Sequence, residues 1–451
     1  MSDKGANRAN REKWSGHLAF VLAAAASAVG LGNLWRFPAS AAGHGGGVYI
    51  LFYIAVTALV GVPLLITEIS LGRATRLSPS RSFKRISPLW WFAGALAMLV
   101  PAIILPYYCV VGGWVTKYFV ASLAGGAGEI DFGAWSADAV SVGAYSLAFA
   151  LAVAVLIQLG VRRGIERSNL VMMPALVLLT IGIAAYVVCS PGSAAGLKYY
   201  LVPDFARLST GTAAGTALAL GKTCMAAMGQ SFYSLSLAMG IMITYGSYVN
   251  KSDSIPRASV RIAFFDTFVA LVAGMIIIPS AYAAGGEELA CKSGAGLMFA
   301  ALPKVFATMP AGVVIGAAFF TLVLFAALTS AISITETVTS SICDVTHWPR
   351  RKAAYATLAW TIVVGIPSVV SMKALEASDF LADIILMPIC ALLTCMFIGF
   401  VARPKLVMNE IGEKRPPVRK AYAIFIRYVA PIFIAVVFIA GILEHFGVVK
   451  V

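Results

Sequence analysis

The sequence predicts an all-α polytopic membrane protein of about eleven transmembrane helices, and three observations carry the prediction. Hydrophobic residues make up 60% of the chain and charged residues only 12%. Apolar stretches of about 20 residues recur, each long enough to cross a hydrocarbon core of roughly 30 Å. They fall near 16–40, 47–72, 90–122, 139–160, 169–190, 214–247, 257–284, 310–343, 353–371, 376–402 and 422–446. The third observation is the placement of basic residues: with the amino terminus in the cytoplasm, 25 of the 34 Lys and Arg lie on inner connections and their margins. This predicts a multi-pass protein of the inner (plasma) membrane with its carboxyl terminus outside. The net charge of +14 is then a topology signal, and a nucleic-acid partner has little support because no soluble basic domain exists.

Taken in order, the opening MSDKGANRANREKW is polar and basic without a cleavable-signal pattern, so span 1 is expected to direct insertion. Span 1 is interrupted midway by Gly30-Leu31-Gly32-Asn33 and then carries Arg36. A bilayer core offers no water to backbone groups, so non-helical chain at that depth survives only where it lines an enclosed cavity or binds something. Span 5 holds Gly164 and Pro174; proline removes a donor and crowds the preceding turn, so the segment between them either unwinds as a hinge or holds a static kink. Span 6 is interrupted in turn, over Gly229-Gln230-Ser231-Phe232-Tyr233-Ser234-Leu235-Ser236-Leu237-Ala238-Met239-Gly240. Span 7 carries Asp266, a carboxylate that is expensive inside an apolar run and therefore usually functional. Glu336 in span 8 reads as a hydrated charge near the cytoplasmic mouth. Cys109, Cys189, Cys224, Cys343, Cys390 and Cys395 lie in or beside spans and Cys291 in an outer loop, which is no disulfide framework; they read as small apolar packers. His44 and His347 lack ligand spacing, and no nucleophile–base arrangement or metal-ligand cluster points to an enzyme.

Two broken helices five spans apart point to an inverted-repeat transporter with its site near the midplane, although small residues that let helices pack closely would explain either break alone. On this reading residues 1–15 form a cytoplasmic segment, 16–190 the first repeat, 191–402 the second, and 403–451 a cytoplasmic link and span 11. Half-helix amino termini favour a carboxylate, while half-helix carboxyl ends and freed carbonyls favour cations. The oxygens on offer, from Asn33, Ser234, Ser236, Asp266, Thr329 and Ser330, are hard ligands that suit an alkali cation better than a transition metal.

Trp14, Ala28-Val29-Gly30-Leu31-Gly32-Asn33, Arg36-Phe37-Pro38, Gly45-Gly46-Gly47, Glu68 through Gly72-Arg73, Tyr107-Tyr108, the Gly164 to Pro174 spacing, the sixth-span serines, Leu328-Thr329-Ser330 and Asp379-Phe380 closely resemble the neurotransmitter:sodium symporters. The run covers nearly the whole chain in order. The resemblance implies the LeuT-like fold, an inverted five-helix repeat with unwound first and sixth spans, and two sodium sites. The first would use the Ala28 carbonyl, the Asn33 side chain, Ser234, Asp266 and the substrate carboxylate. The second would use carbonyls of Ala26, Val29 and Ala326 with hydroxyls of Thr329 and Ser330. It further implies that Leu31 and Gly32 amides and the Tyr108 hydroxyl hold a substrate carboxylate, that carbonyls of Ala28, Tyr233, Ser234 and Ser236 take its ammonium, and that Ile104, Tyr108, Tyr233, Met239 and Ile334 wall the side-chain pocket.

Monoamine carriers of the family place an aspartate where this chain has Gly30, so the resemblance implies a neutral, hydrophobic or aromatic amino acid as cargo. Tyr233 departs from a common phenylalanine and Ala238 from a common glycine. Chloride-dependent relatives have asparagine and, four residues on, serine where this chain has Asp266 and Ala270; no chloride requirement is expected. A sharper expectation is that Asp266 takes up a proton when sodium leaves, the alternative being a carboxylate simply paired with its neighbours. Glu68 resembles a family glutamate that braces unwound backbone. Arg36 with Asp379 matches the outer gate, Arg11 with Asp344 the inner one beneath Trp14, and Gly164 to Pro174 a hinge that wets the second sodium site. The oligomeric state is not legible.

Overall fold

In the computed structural model, which describes residues 12–209, 211–290 and 295–445, nine helices are long and apolar enough to cross a bilayer and a tenth span is a bent pair. Only a helix satisfies every backbone group within its own segment in a medium without water, so sequence this apolar all round has few other ways to fold. Span 1 is His17–Ala28 with Gly32–Gly43, bent by 48°. Spans 2 to 5 are Gly47–Thr75, Pro88–Leu123, Ala139–Gln158 and Val161–Val188. Span 6 is broken into Ala213–Ser234 and Ile241–Ser247, and spans 7 to 11 are Ile255–Gly286, Gly312–Thr346, Arg350–Val370, Met372–Val401 and Pro416–Leu443. No strand forms among the described residues.

Span 5 begins at Val161, earlier than the expected 169, because its first turn is a π-helix, Val161–Glu166, whose Arg162 and Arg163 read as loop. Short helices also form in the connections, at Pro79–Ile86, Ser193–Leu201 and Lys405–Glu410. Span 3 packs along span 8 and against spans 4 and 9; spans 5, 7 and 8 surround the first half of span 1; both halves of span 6 lie on span 2. The apolar stretch of span 3 is 72% buried against 17% for span 11, which puts span 3 at the centre and span 11 at the rim.

Span 3 stays helical through Pro106, although proline has no N–H for the Ala102 carbonyl one turn back. The Trp360 indole of span 9 donates to that carbonyl at 2.8 Å, so the lost donor is replaced from a neighbouring helix.

At the end where most basic residues gather, the chain leading into span 1 is tied to the start of span 5. The Glu12 carboxylate accepts the Val161 N–H at 2.5 Å, and the Glu166 carboxylate accepts both the N–H, at 3.0 Å, and the hydroxyl of Ser15. Arg162 donates to the Lys13 carbonyl at 3.1 Å.

Candidate transport site

The first break is built by one side chain. The Gly30 N–H donates to Asn33 Oδ1 at 3.0 Å, and the Asn33 N–H donates to the Gly30 carbonyl at 3.2 Å. In an unbroken helix these two N–H groups would bond the Ala26 and Val29 carbonyls, so the break releases the two carbonyls assigned to the second sodium site. Span 8 comes against this opening: Ser330 Oγ donates to the Ser27 carbonyl at 3.3 Å. A Cβ at Gly30 would lie 2.4 Å from that hydroxyl, so even alanine would force a shift there. Thr329 Oγ1 turns back onto its own helix, 3.0 Å from the Phe325 and 3.1 Å from the Ala326 carbonyl.

The second break runs from the end of the helix at Ser234 to Gly240, with Ser236 and Ala238 at φ of 53° and 63°, a left-handed conformation uncommon for residues with a side chain. Two contacts hold it. Ala238 N–H donates to Glu68 Oε1 at 2.7 Å, the brace expected of Glu68, and Ser236 Oγ donates to the same Ser27 carbonyl at 3.2 Å.

Between the breaks lies Asp266, fully buried. Its Oδ1 accepts from Asn33 Nδ2 and from Ser234 Oγ, both at 2.7 Å, and its Oδ2 accepts from the Tyr53 hydroxyl at 3.0 Å. Of the groups assigned to the first sodium site, Asn33 and Ser234 thus both hydrogen-bond to the third, Asp266. A buried carboxylate and a hydroxyl meet here, hard oxygens of the kind an alkali cation prefers, while Asn33 faces them with its amide NH2 and keeps its oxygen on the Gly30 N–H. Tyr53 belongs to this group, and nothing in the sequence beyond a tyrosine in an apolar span marks it.

Ala28, Leu31, Gly32, Ile104, Tyr108, Tyr233, Ser234, Ser236, Met239 and Ile334 all line one narrow cavity of about 30 Å³ between the two breaks. The Tyr108 hydroxyl is buried there with no hydrogen-bond partner among the described residues, and polar atoms so placed ordinarily have one. Gln230 Nε2 donates to the Gly32 carbonyl at 3.1 Å, bridging the breaks a second time.

Above the cavity, Arg36 pairs with Asp383 and not with the expected Asp379. Asp383 lies four residues further along span 10, about one turn, in a stretch that is π-wound over Phe380–Leu386, while Asp379 accepts from the Tyr107 hydroxyl at 3.0 Å. The Arg36 guanidinium also lies 4.9 Å from the centre of the Tyr233 ring, which itself covers Gly32. A larger cavity of about 250 Å³ opens beside the pair, between spans 1, 6, 10 and 11.

At the opposite end Trp14 is 1% exposed. Its indole N–H donates to the Tyr245 carbonyl at 3.1 Å, and its ring packs on Tyr245 and Tyr248 at 5.2 and 6.0 Å. Asp344 accepts the Ser78 N–H at 2.6 Å; Arg11, expected to pair with it, lies outside the described residues. Glu336 is not the hydrated charge the sequence suggests. It is fully buried, accepts from the Tyr248 hydroxyl at 2.6 Å, and holds both terminal nitrogens of Arg350 at 3.0 and 2.5 Å. The chain doubles back between spans 8 and 9, bringing Arg350 onto it. Gly164 sits within the π-turn of span 5, and Pro174 lies inside its continuous helix.

A model of the sodium:neurotransmitter symporter family matches residues 11–128 and 136–448. An uncharacterized sodium-dependent transporter of Bacillus subtilis (strain 168), YhdH, is 32% identical over 454 residues, covering 95% of this chain and 97% of its own. One of Methanocaldococcus jannaschii, MJ1319, is 31% identical over 405 residues, covering 85% and 80%. Among solved structures, the crystal structure of MhsT in complex with L-phenylalanine is similar with a TM-score of 0.85 at 31% identity, over 96% of this chain and 100% of that one; MhsT has the LeuT fold. By sequence and by fold, the chain belongs to the sodium:neurotransmitter symporter family and is a sodium-dependent membrane transporter, not an enzyme.

Proposed function

We propose that the protein is a chloride-independent, sodium-coupled symporter of neutral, hydrophobic or aromatic amino acids working by alternating access. The observation that carries this reading is the pairing of a carboxylate beside the cavity with a Gly30 that has no room for one. Asp266 supplies a fixed negative charge next to the first sodium, the role chloride would otherwise fill. The cargo brings its own carboxylate to the Leu31 and Gly32 amides and the Tyr108 hydroxyl, while Ile104, Met239 and Ile334 receive an apolar side chain. MhsT, similar over nearly the whole chain, is seen with phenylalanine, which supports the aromatic end of this range.

Substrate carboxylate and the first sodium touch, so each raises the other's affinity by the same factor. Sodium favours the outward-open form, cargo joins, Arg36 and Tyr233 close over it, and release begins at the second site, formed by Ala26, Val29, Ala326, Thr329 and Ser330, wetted through the stretch from Gly164 to Pro174. The amino terminus is cytoplasmic and the carboxyl terminus outside. Two donors occupy Asp266 Oδ1 and one occupies Oδ2, so a proton-return step through Asp266 would use the remaining acceptor site on Oδ2.

A competition binding screen of the natural amino acids in sodium against potassium tests the assignment. Displacement by phenylalanine, leucine or similar side chains only in sodium is expected; equal binding in potassium, or preference for amines without a carboxylate, would overturn it. Sodium-driven uptake into proteoliposomes that stops when chloride is replaced by gluconate would overturn the role given to Asp266.

A further inference from the structure

An arginine lies inside the lipid-facing rim with part of its hydrogen-bonding capacity unused. Arg427 is in span 11, the most exposed of the spans, seven residues or about 10 Å along the helix from Lys420. Its Nε donates to the Gly399 carbonyl of span 10 at 2.8 Å and its guanidinium lies 5.8 Å from the Phe400 ring centre. Among the described residues no carboxylate pairs with it, and no hydrogen bond to either terminal nitrogen is seen. A charge at membrane depth ordinarily faces a partner.

The local winding is specialised to hold it there. Both helices are π-wound where they meet, over Phe397–Val401 and Phe425–Val429, a feature that favours functional positions. A Cβ at Gly399 would come within 3.1 Å of Arg427 Cγ, so the missing side chain is what lets the arginine lie along span 10. Two neighbours mark the level of the membrane surface. Trp90, at the start of span 3, packs its ring 5.4 Å from Phe397, and tryptophans gather at the headgroup boundary. Exposed Arg403 lies just past the end of span 10, four residues beyond Gly399. Phe400 and Tyr428, 54% and 55% exposed, flank the arginine with surface suited to acyl chains.

We infer that the groove between spans 10 and 11 at this end of the molecule is a binding site for the phosphodiester of an anionic phospholipid, with Arg427 donating its terminal nitrogens to the phosphate, Arg403 adding a second positive charge, and the acyl chains lying on Phe400 and Tyr428. Guanidinium and phosphate match as a two-pronged donor and acceptor, and basic pockets between spans beside the headgroups bind such lipids.

Native mass spectrometry of the full chain, titrated with phosphatidylglycerol, tests this. The first phosphatidylglycerol should bind about five-fold more weakly to R427Q than to the unaltered protein, the size expected for one interfacial charge. R427K, which keeps the charge but not the fork, should fall between, and exposed Arg261→Gln at the same end should change nothing. Phosphatidylethanolamine should bind more weakly, and inorganic phosphate should not displace the lipid. Equal binding by R427Q and the unaltered protein, an equal loss in R261Q, or displacement by inorganic phosphate would each overturn the site. R403Q reads the same groove if R427Q does not fold.

Discussion

Arg36 holds two contacts that do different work. Its pair with Asp383 is partly open to water, the arginine side chain being 40% exposed, and such pairs contribute about 0–1 kcal/mol. Its position over Tyr233 presses a ring down on the break of span 1. Asp383→Asn is therefore expected to weaken cargo affinity by no more than about five-fold and to hasten dissociation, while Asp379→Asn, which keeps an acceptor for Tyr107 and removes a charge not in contact with Arg36, should do less; equilibrium binding with a washout measures both. Tyr53→Phe removes one of three donors to a buried carboxylate, and a hydrogen bond to a charged group is worth about 1.5–3 kcal/mol. A sodium titration of cargo binding should show its half-point displaced. Neither Tyr53 nor Asp383 was legible in the sequence. Which of two acids one turn apart meets an arginine more than three hundred positions away depends on the local winding of span 10, and a tyrosine in an apolar span looks like packing until its hydroxyl is placed.

The broken elements were legible for the opposite reason. Glycines and hydroxyls in the middle of an apolar run contradict the run itself, and the contradiction is local, so the breaks of spans 1 and 6 could be read directly, whereas the parts given to Ala26, Ala28 and Val29 came from the family resemblance alone. Span 5 was half legible: Gly164 and Pro174 were visible, but charges at Arg162 and Arg163 hid a π-turn that extends the helix to Val161. A Cβ at Gly164 would lie 1.9 Å from the Leu156 carbonyl, so Gly164→Ala should lower the thermal midpoint and slow transport together. Hydrogen exchange across 164–174 should quicken when sodium is withdrawn; equal protection with and without sodium would make Pro174 a static kink. The exchange of a proline-freed carbonyl for an indole donor, at Ala102 and Trp360, leaves no trace in the local sequence.

Across the whole molecule, the cavity is closed above by Arg36 and Tyr233 and below by a set of contacts joining five spans. Trp14 ties the entry of span 1 to span 6, Tyr245 donates to Ser333 of span 8 at 2.9 Å, and Arg350 joins Glu336 of span 8 to the Ile157 carbonyl of span 4, at 3.0 Å. Removing one partner of a buried pair leaves an uncompensated charge, at about 3–5 kcal/mol. Arg350→Ala should accordingly lower the thermal midpoint of the purified protein markedly, and Arg350→Ala with Glu336→Met should recover much of the loss.

The tie between residues 12–15 and the start of span 5 bears on how such a molecule opens. Its four contacts use two carboxylates, a guanidinium, a hydroxyl, two amides and a carbonyl, all of which need new partners once the first segment swings away. Only water is small and plentiful enough to supply them at that edge. On the transport cycle proposed above, separation of the two segments and flooding of the passage between them would then be a single event, and the solvent that strips the departing sodium would enter by the seam they form.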